Sequence, residues 1–435
     1  MKAKLSLTTT KIIRKALRLV GRGGSLPGSI ALKLDPDILK KLKYPNKVIL
    51  VTGTNGKTTT TNMIYQLMQQ KYERVICNVR GDNLMPGIAT LAIGATNHNG
   101  KVETDCMVIE VDELNVPHVL KNVKVDTVVV HNFFRDQLDR AGEMETIVNK
   151  VEKAIKDFHG DLVLNGDDPN VARLAQSCQG DVYYYGVSKN ALSRLQSGEA
   201  SEGKFCYRCN HELVYSYYQY SHIGRFKCPN CGFGDYQLYK EAKDVDCNNY
   251  TFNVDKQLFK APQDALYSIY NCMALISVAA LEKIDLKNVA SMLEHFELKD
   301  GRMETFDIGK PCLLNLVKNP TGANEVMKYI MRDQEDKDIL IVLNDNDQDG
   351  TDISWIWDAD FDLIIEEHTR NIICSGTRAY DMALRLKYSG YEANIKVLED
   401  YDAAVKYLKG LDNHAYVIST YTALQAMRAV LRRNK

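Results

Sequence analysis

The sequence has almost no net charge, which limits the partners that it can attract. Its 435 residues include 55 lysines and arginines against 56 aspartates and glutamates, so the formal charge is −1. A protein that binds nucleic acid through its overall charge needs a clear excess of basic residues. We therefore expect no nucleic-acid partner. A chain of this length is expected to form two or three domains.

The sequence also lacks an apolar run of the roughly 20 residues that cross a membrane, and its N-terminus lacks the apolar core of a signal peptide. We therefore expect a cytoplasmic protein.

Residues 1–34 contain no acidic residue, and in a helix their basic and apolar side chains would lie on opposite faces. This segment can rest on the anionic inner face of the membrane, pack on the protein with its basic face in water, or serve as a transit peptide.

Disulfide bonds are not expected, although the chain has 11 cysteines, because the cytoplasm keeps thiols reduced. Four of these cysteines form two CxxC pairs, Cys206 with Cys209 and Cys228 with Cys231. Two such pairs separated by a short loop are typical of zinc ribbons, in which four thiolates complete a tetrahedral site. We predict a structural zinc site that folds a small inserted module at about 205–233.

The run Val48–Thr60 is typical of a phosphate-binding loop. Aliphatic residues that predict a strand lead into Gly-Thr-Asn-Gly-Lys-Thr, and the glycines of such a turn let backbone N–H groups point at phosphate oxygens. Lys57 adds a positive charge, and Thr58 adds a hydroxyl for Mg²⁺. Val51 stands where the standard motif has its first glycine, so the match begins at Gly53. The run predicts a nucleoside triphosphate site.

Strand and helix patterns alternate along most of the chain, which predicts an α/β fold. We divide the chain into a basic N-terminal helical segment at 1–43, a central nucleotide-binding domain at 44–300 that contains the zinc ribbon, and a smaller α/β domain at 301–435. The expected strands are 47–52, 74–78, 105–111, 126–131, 161–165, 181–185, 338–343, 362–366, 371–374, 395–398 and 415–418.

Polar residues follow three of the expected strands, where open α/β sheets bind their ligands. Glu110 ends the strand 105–111 and is the natural carboxylate for Mg²⁺, whereas Asp112 and Glu113 are more typical of a solvated strand end. The segment Asn-Phe-Phe-Arg-Asp-Gln-Leu-Asp at 132–139 follows the next strand. Asn-Gly-Asp-Asp at 165–168 follows the one after that.

These motifs, in this order, resemble the central ATPase domain of the Mur ligase superfamily, whose members join amines to carboxylates through an acyl phosphate. The resemblance implies ATP and Mg²⁺ as cofactors. It places Lys57 and Glu110 in catalysis, and Thr58 and Glu110 on magnesium. It further implies nucleotide binding by Thr54, Asn55, Gly56, Lys57, Thr58, Thr59, Asn165, Asp168, Asn271 and Arg302.

Two departures from the peptide-forming members indicate one branch of the superfamily. Gln137 stands where those members carry a histidine, and Leu-Val-Lys-Asn-Pro at 316–320 replaces their usual acceptor motif. With the zinc ribbon and the loop 343–358, they make the whole chain similar to the synthetase subunits of lipid II isoglutaminyl synthases. In that family, ATP phosphorylates the α-carboxylate of D-glutamate in the lipid II stem peptide. Ammonia then converts it to the amide, D-isoglutamine.

The resemblance also implies a heterodimer with a GatD-type glutaminase subunit that releases ammonia from glutamine. None of the cysteines outside the zinc site lies in the tight glycine-rich turn that a glutaminase thiol needs. A separate chain must therefore supply the ammonia, or free ammonia is used. In the family an aspartate at the position of Asp349 completes the partner's Cys–His pair, where a carboxylate would orient the imidazole.

Two other functions stay open. The first is a ligase that adds an amino acid to a carboxylate, as Mur ligases and folylpolyglutamate synthases do. The second is a nucleotide-gated binding protein whose zinc ribbon contacts nucleic acid. The small number of basic residues within the ribbon, Arg208, Arg225 and Lys227 among them, argues against the second.

Overall fold

The computed structural model describes residues 2–19, 24–78, 82–135, 144–196, 203–297, 303–391 and 395–434. The chain divides into two compact units. The first comprises Met1–Phe134 and Glu145–Phe296, and the second comprises Arg135–Met144 and Glu297–Lys435. In the described part of the chain, each unit is built around one mostly parallel sheet.

The strands of the first unit are β1 (Lys47–Thr52), β2 (Val75–Cys77), β3 (Cys106–Glu110), β4 (Thr127–Val130), β5 (Asp161–Asn165), β6 (Val182–Val187), β7 (Val214–Tyr220), β8 (Ile223–Lys227), β9 (Lys240–Asp246), β10 (Thr251–Val254) and β11 (Gln257–Lys260). The main sheet has the order β11-β10-β9-β6-β5-β4-β1-β3-β2. From β9 to β2 all neighbours are parallel, whereas β10 pairs antiparallel with β9 and β11. The strands β7 and β8 form a separate antiparallel hairpin.

The helices of this part of the chain are α1 (Lys2–Leu19), α2 (Leu26–Leu34), α3 (Lys57–Lys71), α4 (Met85–Gly94), α5 (Val116–Asn122), α6 (Met144–Ile155), α7 (Pro169–Ala172), α8 (Leu266–Leu281) and α9 (Leu286–Glu294). The residues Val48–Val51 of β1 are fully buried, as expected for a strand of a parallel sheet covered on both faces. Residues of α3 and α8, such as Leu67 and Ile276, share one core with the sheet.

The basic N-terminal segment packs on the rest of the first unit. Ser6 Oγ donates to Ala31 O (3.1 Å), which joins α1 to α2. The backbone of α2 approaches α4 so closely that Gly28 N donates to Thr90 Oγ1 (2.8 Å), and a Cβ on Gly28 would overlap the backbone at Pro86. Among the described residues, no helix is both long and apolar enough to span a bilayer.

The second unit contains a six-stranded sheet in its described part, with the order β12-β13-β17-β14-β15-β16 when its strands are numbered along the chain. These are β12 (Glu304–Asp307), β13 (Pro311–Leu316), β14 (Lys337–Val342), β15 (Thr369–Ser375), β16 (Ile395–Val397) and β17 (His414–Ser419). Its helices are α10 (Pro320–Ile330), α11 (Trp355–Asp358), α12 (Ala379–Tyr388), α13 (Tyr401–Lys409) and α14 (Tyr421–Arg433).

The strand expected at 362–366 is wrong. Residues Phe361–Ile364 instead form a 3₁₀ turn. The segment does not lie between β14 and β15 in the sheet, because these two strands pair directly with each other. Phe361 and Ile364 are buried in the hydrophobic core beside the sheet, and this burial explains the apolar pattern that resembled a strand.

Candidate active site and zinc site

The phosphate-binding loop lies between the end of β1 and the start of α3. Gly53 and Gly56 have φ values of +130° and +86°, which glycine adopts without the strain of other residues. A Cβ at Gly56 would overlap Oδ1 of Asn271 on α8. Helix α3 begins at Lys57, so its first backbone N–H groups have no partner within the helix and face the loop. The loop therefore has the form that binds phosphate.

Asn132, at the start of the segment 132–139, locks this loop in place. Its backbone oxygen accepts from Thr54 N (2.9 Å). Its side chain accepts from Asn55 N (2.8 Å) and donates to Asn55 O (3.1 Å). Phe134 N donates to Thr54 Oγ1 (3.0 Å). The sequence placed this segment at the same sheet edge but gave no sign of its pairing with the loop.

Lys57 is buried, and its charge is balanced by Glu113. The Lys57 ammonium donates to Gly53 O and lies 3.1 Å from Glu113 Oε2. Glu113 is itself buried, so its interpretation as a solvated strand end is wrong. A buried ammonium needs a partner of opposite charge, which explains why a carboxylate stands here. The pair holds Lys57 against the loop.

Glu110 and Thr58 are the two residues expected to hold magnesium. Glu110 ends β3, pairs in register with Val51 of β1, and is buried. Its Oε1 accepts from Asn83 Nδ2 (3.2 Å). Thr58 is half-buried in the first turn of α3. Both therefore lie at the sheet edge that carries the loop, and their hydroxyl and carboxylate oxygens are the donors that Mg²⁺ prefers.

The residues expected near the nucleoside follow β5. Asn165 Oδ1 accepts from Asp167 N (3.1 Å), which shapes the turn after the strand. Asp168 is fully buried, and its two oxygens accept from Phe133 N (3.0 Å) and Asn170 N (2.8 Å). Asp168 therefore holds the backbone at Phe133 next to the turn that follows β5.

The other nucleotide-site candidates lie in α3 and elsewhere. Thr59 is buried in the first turn of α3, beside the half-buried Asn55 and Thr58 of the loop. Asn271, expected to approach the adenine, is buried on α8 against Gly56. Arg302 lies outside the described residues.

His131 is a buried histidine directly behind the loop. Its Nδ1 lies 3.0 Å from the hydroxyl of Tyr185, and its Cβ would contact a side chain at Gly53. Burial, together with the nearby charge of Lys57, lowers the pKa of His131 to about 3. The imidazole is therefore neutral at physiological pH.

The four cysteines of the two CxxC pairs come together in the folded chain. Their Sγ atoms all lie within 4.8 Å of one another. Cys206 Sγ lies 3.5 Å from Cys231 Sγ, and Cys209 Sγ lies 3.4 Å from Cys228 Sγ. A zinc ion bound at about 2.3 Å from each sulfur would separate neighbouring sulfurs by about 3.8 Å. The donor set and its spacing fit one tetrahedral metal ion.

Asp349 belongs to the second unit and is buried at the start of α14. Its carboxylate accepts from Thr422 N (2.7 Å) and from the Thr422 hydroxyl. Asp349 N donates to Asn346 O (2.7 Å), which closes the loop after β14. A helix N-terminus stabilises a carboxylate in this position. The side chain is thus held in one orientation rather than left free in a solvated loop.

Comparison with known proteins gives matches over the whole chain. Residues 51–232 match the Mur ligase middle domain, and residues 316–424 match the MurT ligase C-terminal domain. The chain is 34% identical to the lipid II isoglutaminyl synthase (glutamine-hydrolyzing) subunit MurT of Staphylococcus aureus strain COL, over all of this chain and 99% of that protein. The chain belongs to the MurT family. A MurT of Streptococcus pneumoniae strain R6 is 33% identical over 99% of this chain and 97% of its own length.

Solved structures confirm a Mur ligase fold for this MurT family member. A pseudomurein peptide ligase type C from Methanothermus fervidus superposes with a TM-score of 0.68 at 22% identity, over 92% of this chain and 81% of that chain. MurF ligase from Thermotoga maritima, solved in complex with ADP, superposes with a TM-score of 0.59 at 15% identity, over 94% and 84%. The predicted fold class, a Mur ligase-type domain followed by an α/β domain, is confirmed.

Proposed function

We propose that this chain is the ATP-dependent synthetase subunit of a lipid II isoglutaminyl synthase and acts in peptidoglycan biosynthesis. The observation that carries the proposal is a phosphate-binding loop held in place by hydrogen bonds with Asn132 and Lys57. It occurs in a chain that matches a MurT protein over its whole length. The substrate is the α-carboxylate of D-glutamate in the lipid II stem peptide, and the product is D-isoglutamine.

The reaction divides into two steps. An oxygen of the D-glutamate carboxylate attacks the γ-phosphorus of ATP, the bond to the β-phosphate oxygen breaks, and ADP leaves. Ammonia then attacks the carbonyl carbon of the acyl phosphate, inorganic phosphate leaves with the electrons of the C–O bond, and the nitrogen loses a proton. The acyl phosphate is needed because a free carboxylate is a poor electrophile.

The first unit supplies the groups that favour phosphoryl transfer. The loop residues Thr54, Asn55, Gly56 and Thr59, with the start of α3, would cradle the phosphates. The ammonium of Lys57, which now pairs with Glu113, would also contact the phosphates and balance part of their negative charge. Thr58 and Glu110 would hold Mg²⁺, which neutralises charge on the phosphate oxygens when bound.

The nucleoside and the terminal phosphate require further groups. Asn165 and Asp168 shape the loop after β5 that would lie beside the nucleoside, and Asn271 on α8 would approach the adenine. Arg302 would reach the terminal phosphate.

The ammonia would come from a GatD-type glutaminase subunit in a heterodimer. The relatives named above are subunits of glutamine-hydrolysing enzymes. Asp349 would complete the partner's Cys–His pair, and its carboxylate is already held by Thr422. A carboxylate so held can keep an imidazole in one tautomer and stabilise its charged form.

The Cys206, Cys209, Cys228 and Cys231 set would bind structural zinc, because four thiolates leave no coordination position open for a substrate. The protein would work in the cytoplasm at the inner face of the membrane, where the lipid anchor of its substrate lies. The domain divisions at residues 43 and 300 remain part of this proposal.

One experiment tests the proposal. The purified chain is incubated with lipid II, ATP, Mg²⁺ and ammonium chloride, and mass spectrometry follows the change from acid to amide on the stem peptide. We expect amide and ADP with ammonium, and with glutamine only after the glutaminase subunit is added. A parallel incubation replaces ammonium chloride with a mixture of amino acids; an amino acid joined to the carboxylate there, with no amide formed from ammonium, would identify the chain as an amino-acid ligase and overturn the proposal.

A further inference from the structure

The hairpin of the zinc ribbon, β7 and β8 (Val214–Lys227), contacts the turn that follows β5. Arg225 Nε donates to Asp167 Oδ1 (3.1 Å), and Gly224 N donates to Asp167 O (2.8 Å). The other carboxylate oxygen accepts from Val187 N and the Tyr270 hydroxyl, both at 2.8 Å. Asp167 is fully buried, and burial raises its pKa. This aspartate therefore joins the hairpin to the end of β6 and to α8.

The tip of the same hairpin reaches the phosphate loop through His222. Its Nε2 lies 3.3 Å from Asp168 Oδ1, and its ring lies 5.0 Å from the ring of Phe134. The backbone N–H of Phe134 in turn donates to the hydroxyl of Thr54 in the phosphate loop. Both His222 and Phe134 are buried. His222 thus contacts Asp168, one of the residues expected at the nucleotide, and Arg225 contacts Asp167, the residue directly before it.

The zinc site lies at the other end of the hairpin. Cys228 follows the last residue of β8 directly. The core of the ribbon is small: it consists of Cys206, Leu213, Phe226, Cys228 and Phe233, together with Ala172 of α7. A module with so few buried apolar side chains depends on its metal to hold its shape. Tyr220 and Ile223 at the hairpin tip are buried in the main core of the first unit, whereas Phe226, next to Arg225, belongs to the ribbon core. Loss of zinc would therefore loosen the end of β8 that carries Arg225.

We propose that the zinc ribbon positions the nucleotide site, with His222 and Arg225 as positioning residues that act through Asp168 and Asp167. ATP affinity then depends on zinc, although none of the four cysteines is among the residues assigned to the nucleotide. The inference rests on the proposed use of ATP by this chain. His222 and Arg225 both belong to the inserted zinc ribbon, so the ribbon supports the nucleotide site as well as packing on the first unit.

The test measures binding of the Mg²⁺ complex of AMP-PNP, a non-hydrolysable ATP analogue, to the full-length chain by calorimetry, with zinc content determined for each variant. We expect His222→Ala and Arg225→Gln to raise the Kd about tenfold while one zinc per chain is retained. Arg225→Lys should recover part of the affinity, because an ammonium restores the charge beside Asp167. His211→Ala and Lys227→Gln alter exposed residues of the same module and should stay within twofold of wild type.

Two further readouts separate positioning from general instability. In steady-state assays with ammonium, the KM for ATP should rise in His222→Ala and Arg225→Gln, whereas the KM for ammonium should not change. Unfolding of part of the sample would lower kcat alone. Removal of zinc with a chelator should raise the Kd for the analogue, and added zinc should restore it.

The outcomes distinguish this inference from the proposed function. If wild type fails to bind the analogue, the proposed use of ATP is wrong, and the inference falls with it. If wild type binds but the variants and the zinc-free protein bind equally well, the coupling is wrong and the proposed function stands. If the variants lose their zinc as well as affinity, Arg225→Lys with zinc retained decides: a Kd there as weak as that of Arg225→Gln, with no recovery from the restored charge, overturns the role of Arg225.

Discussion

The buried His131 makes the stability of the first unit depend on pH. In the folded chain its pKa is lowered to about 3, chiefly by burial and then by the charge of Lys57, from an ordinary value of 6.5. The unfolded chain therefore binds a proton at a pH where the folded chain does not. Below pH 6.5 this difference favours the unfolded state, and the loss of stability continues until the pH approaches 3.

The size of the effect follows from these two pKa values. A single proton bound only by the unfolded chain changes the unfolding free energy by about 1.4 kcal/mol per pH unit. Between pH 7 and pH 5, a shift from 6.5 to about 3 corresponds to a loss of about 2 kcal/mol. His131→Asn removes the titrating group and leaves an amide oxygen able to accept from the Tyr185 hydroxyl. We expect this variant to lose about 2 kcal/mol less than wild type over the same range.

The measurement is urea unfolding at pH 7 and pH 5, followed by far-UV circular dichroism. The only two tryptophans, Trp355 and Trp357, lie in the second unit, so tryptophan fluorescence gives an internal reference that the substitution should not change. His98→Asn replaces an exposed histidine of the first unit and serves as the matched control. Equal losses of stability in wild type and His131→Asn would show that the buried, neutral histidine is absent in solution.

Four other predictions concern the proposed sites. Lys57→Ala should abolish amide formation with either glutamine or ammonium, because the phosphates lose their buried charge; ADP release that persists at the wild-type rate would contradict this. Asp349→Asn should spare the ammonium-driven reaction and lower the glutamine-driven reaction at least tenfold, and equal activity with both nitrogen sources would exclude the shared-triad role. Thr422→Val removes a hydroxyl bonded to Asp349 and should lower only the glutamine-driven rate, by several-fold; a matching fall with ammonium would indicate general damage instead. Cys228→Ser should release zinc and lower the melting temperature of the first unit, which zinc analysis and calorimetry can check, and unchanged zinc content would refute the assigned ligand set.

The parts that the sequence predicted well are those set by local pattern. The expected strand 47–52 is confirmed as β1 (Lys47–Thr52), because four successive aliphatic residues followed by glycine leave few alternatives. The cysteine pairs also converge as predicted, since CxxC spacing is itself a local geometric signal. By contrast, the apolar residues 361–364 carried the pattern of a strand yet form a turn. Phe361 and Ile364 are buried beside the sheet, and a short buried apolar run has the same pattern in a strand and in a turn.

The contacts that complete the candidate site could not be predicted from local pattern. Asn132 locks a loop 77 residues before it, and Glu113 balances a lysine 56 residues before it. A carboxylate after a strand looks the same in sequence whether water or a buried ammonium lies opposite. The one available signal for Glu113 was that Lys57 would need a counter-charge wherever phosphate is absent.

The position of the zinc ribbon follows from the direction of the strands. β6 and β9 are parallel neighbours, so the chain must cross from the carboxyl end of β6 back to the start of β9. In most α/β folds a helix makes this crossing, but here the residues between Val187 and Lys240 include the ribbon. Parallel strands end at one edge, and β1 ends there in the phosphate loop. An insertion that leaves from Val187 therefore begins at the edge that carries the candidate ATP site, and His222 and Arg225 reach that site for this reason.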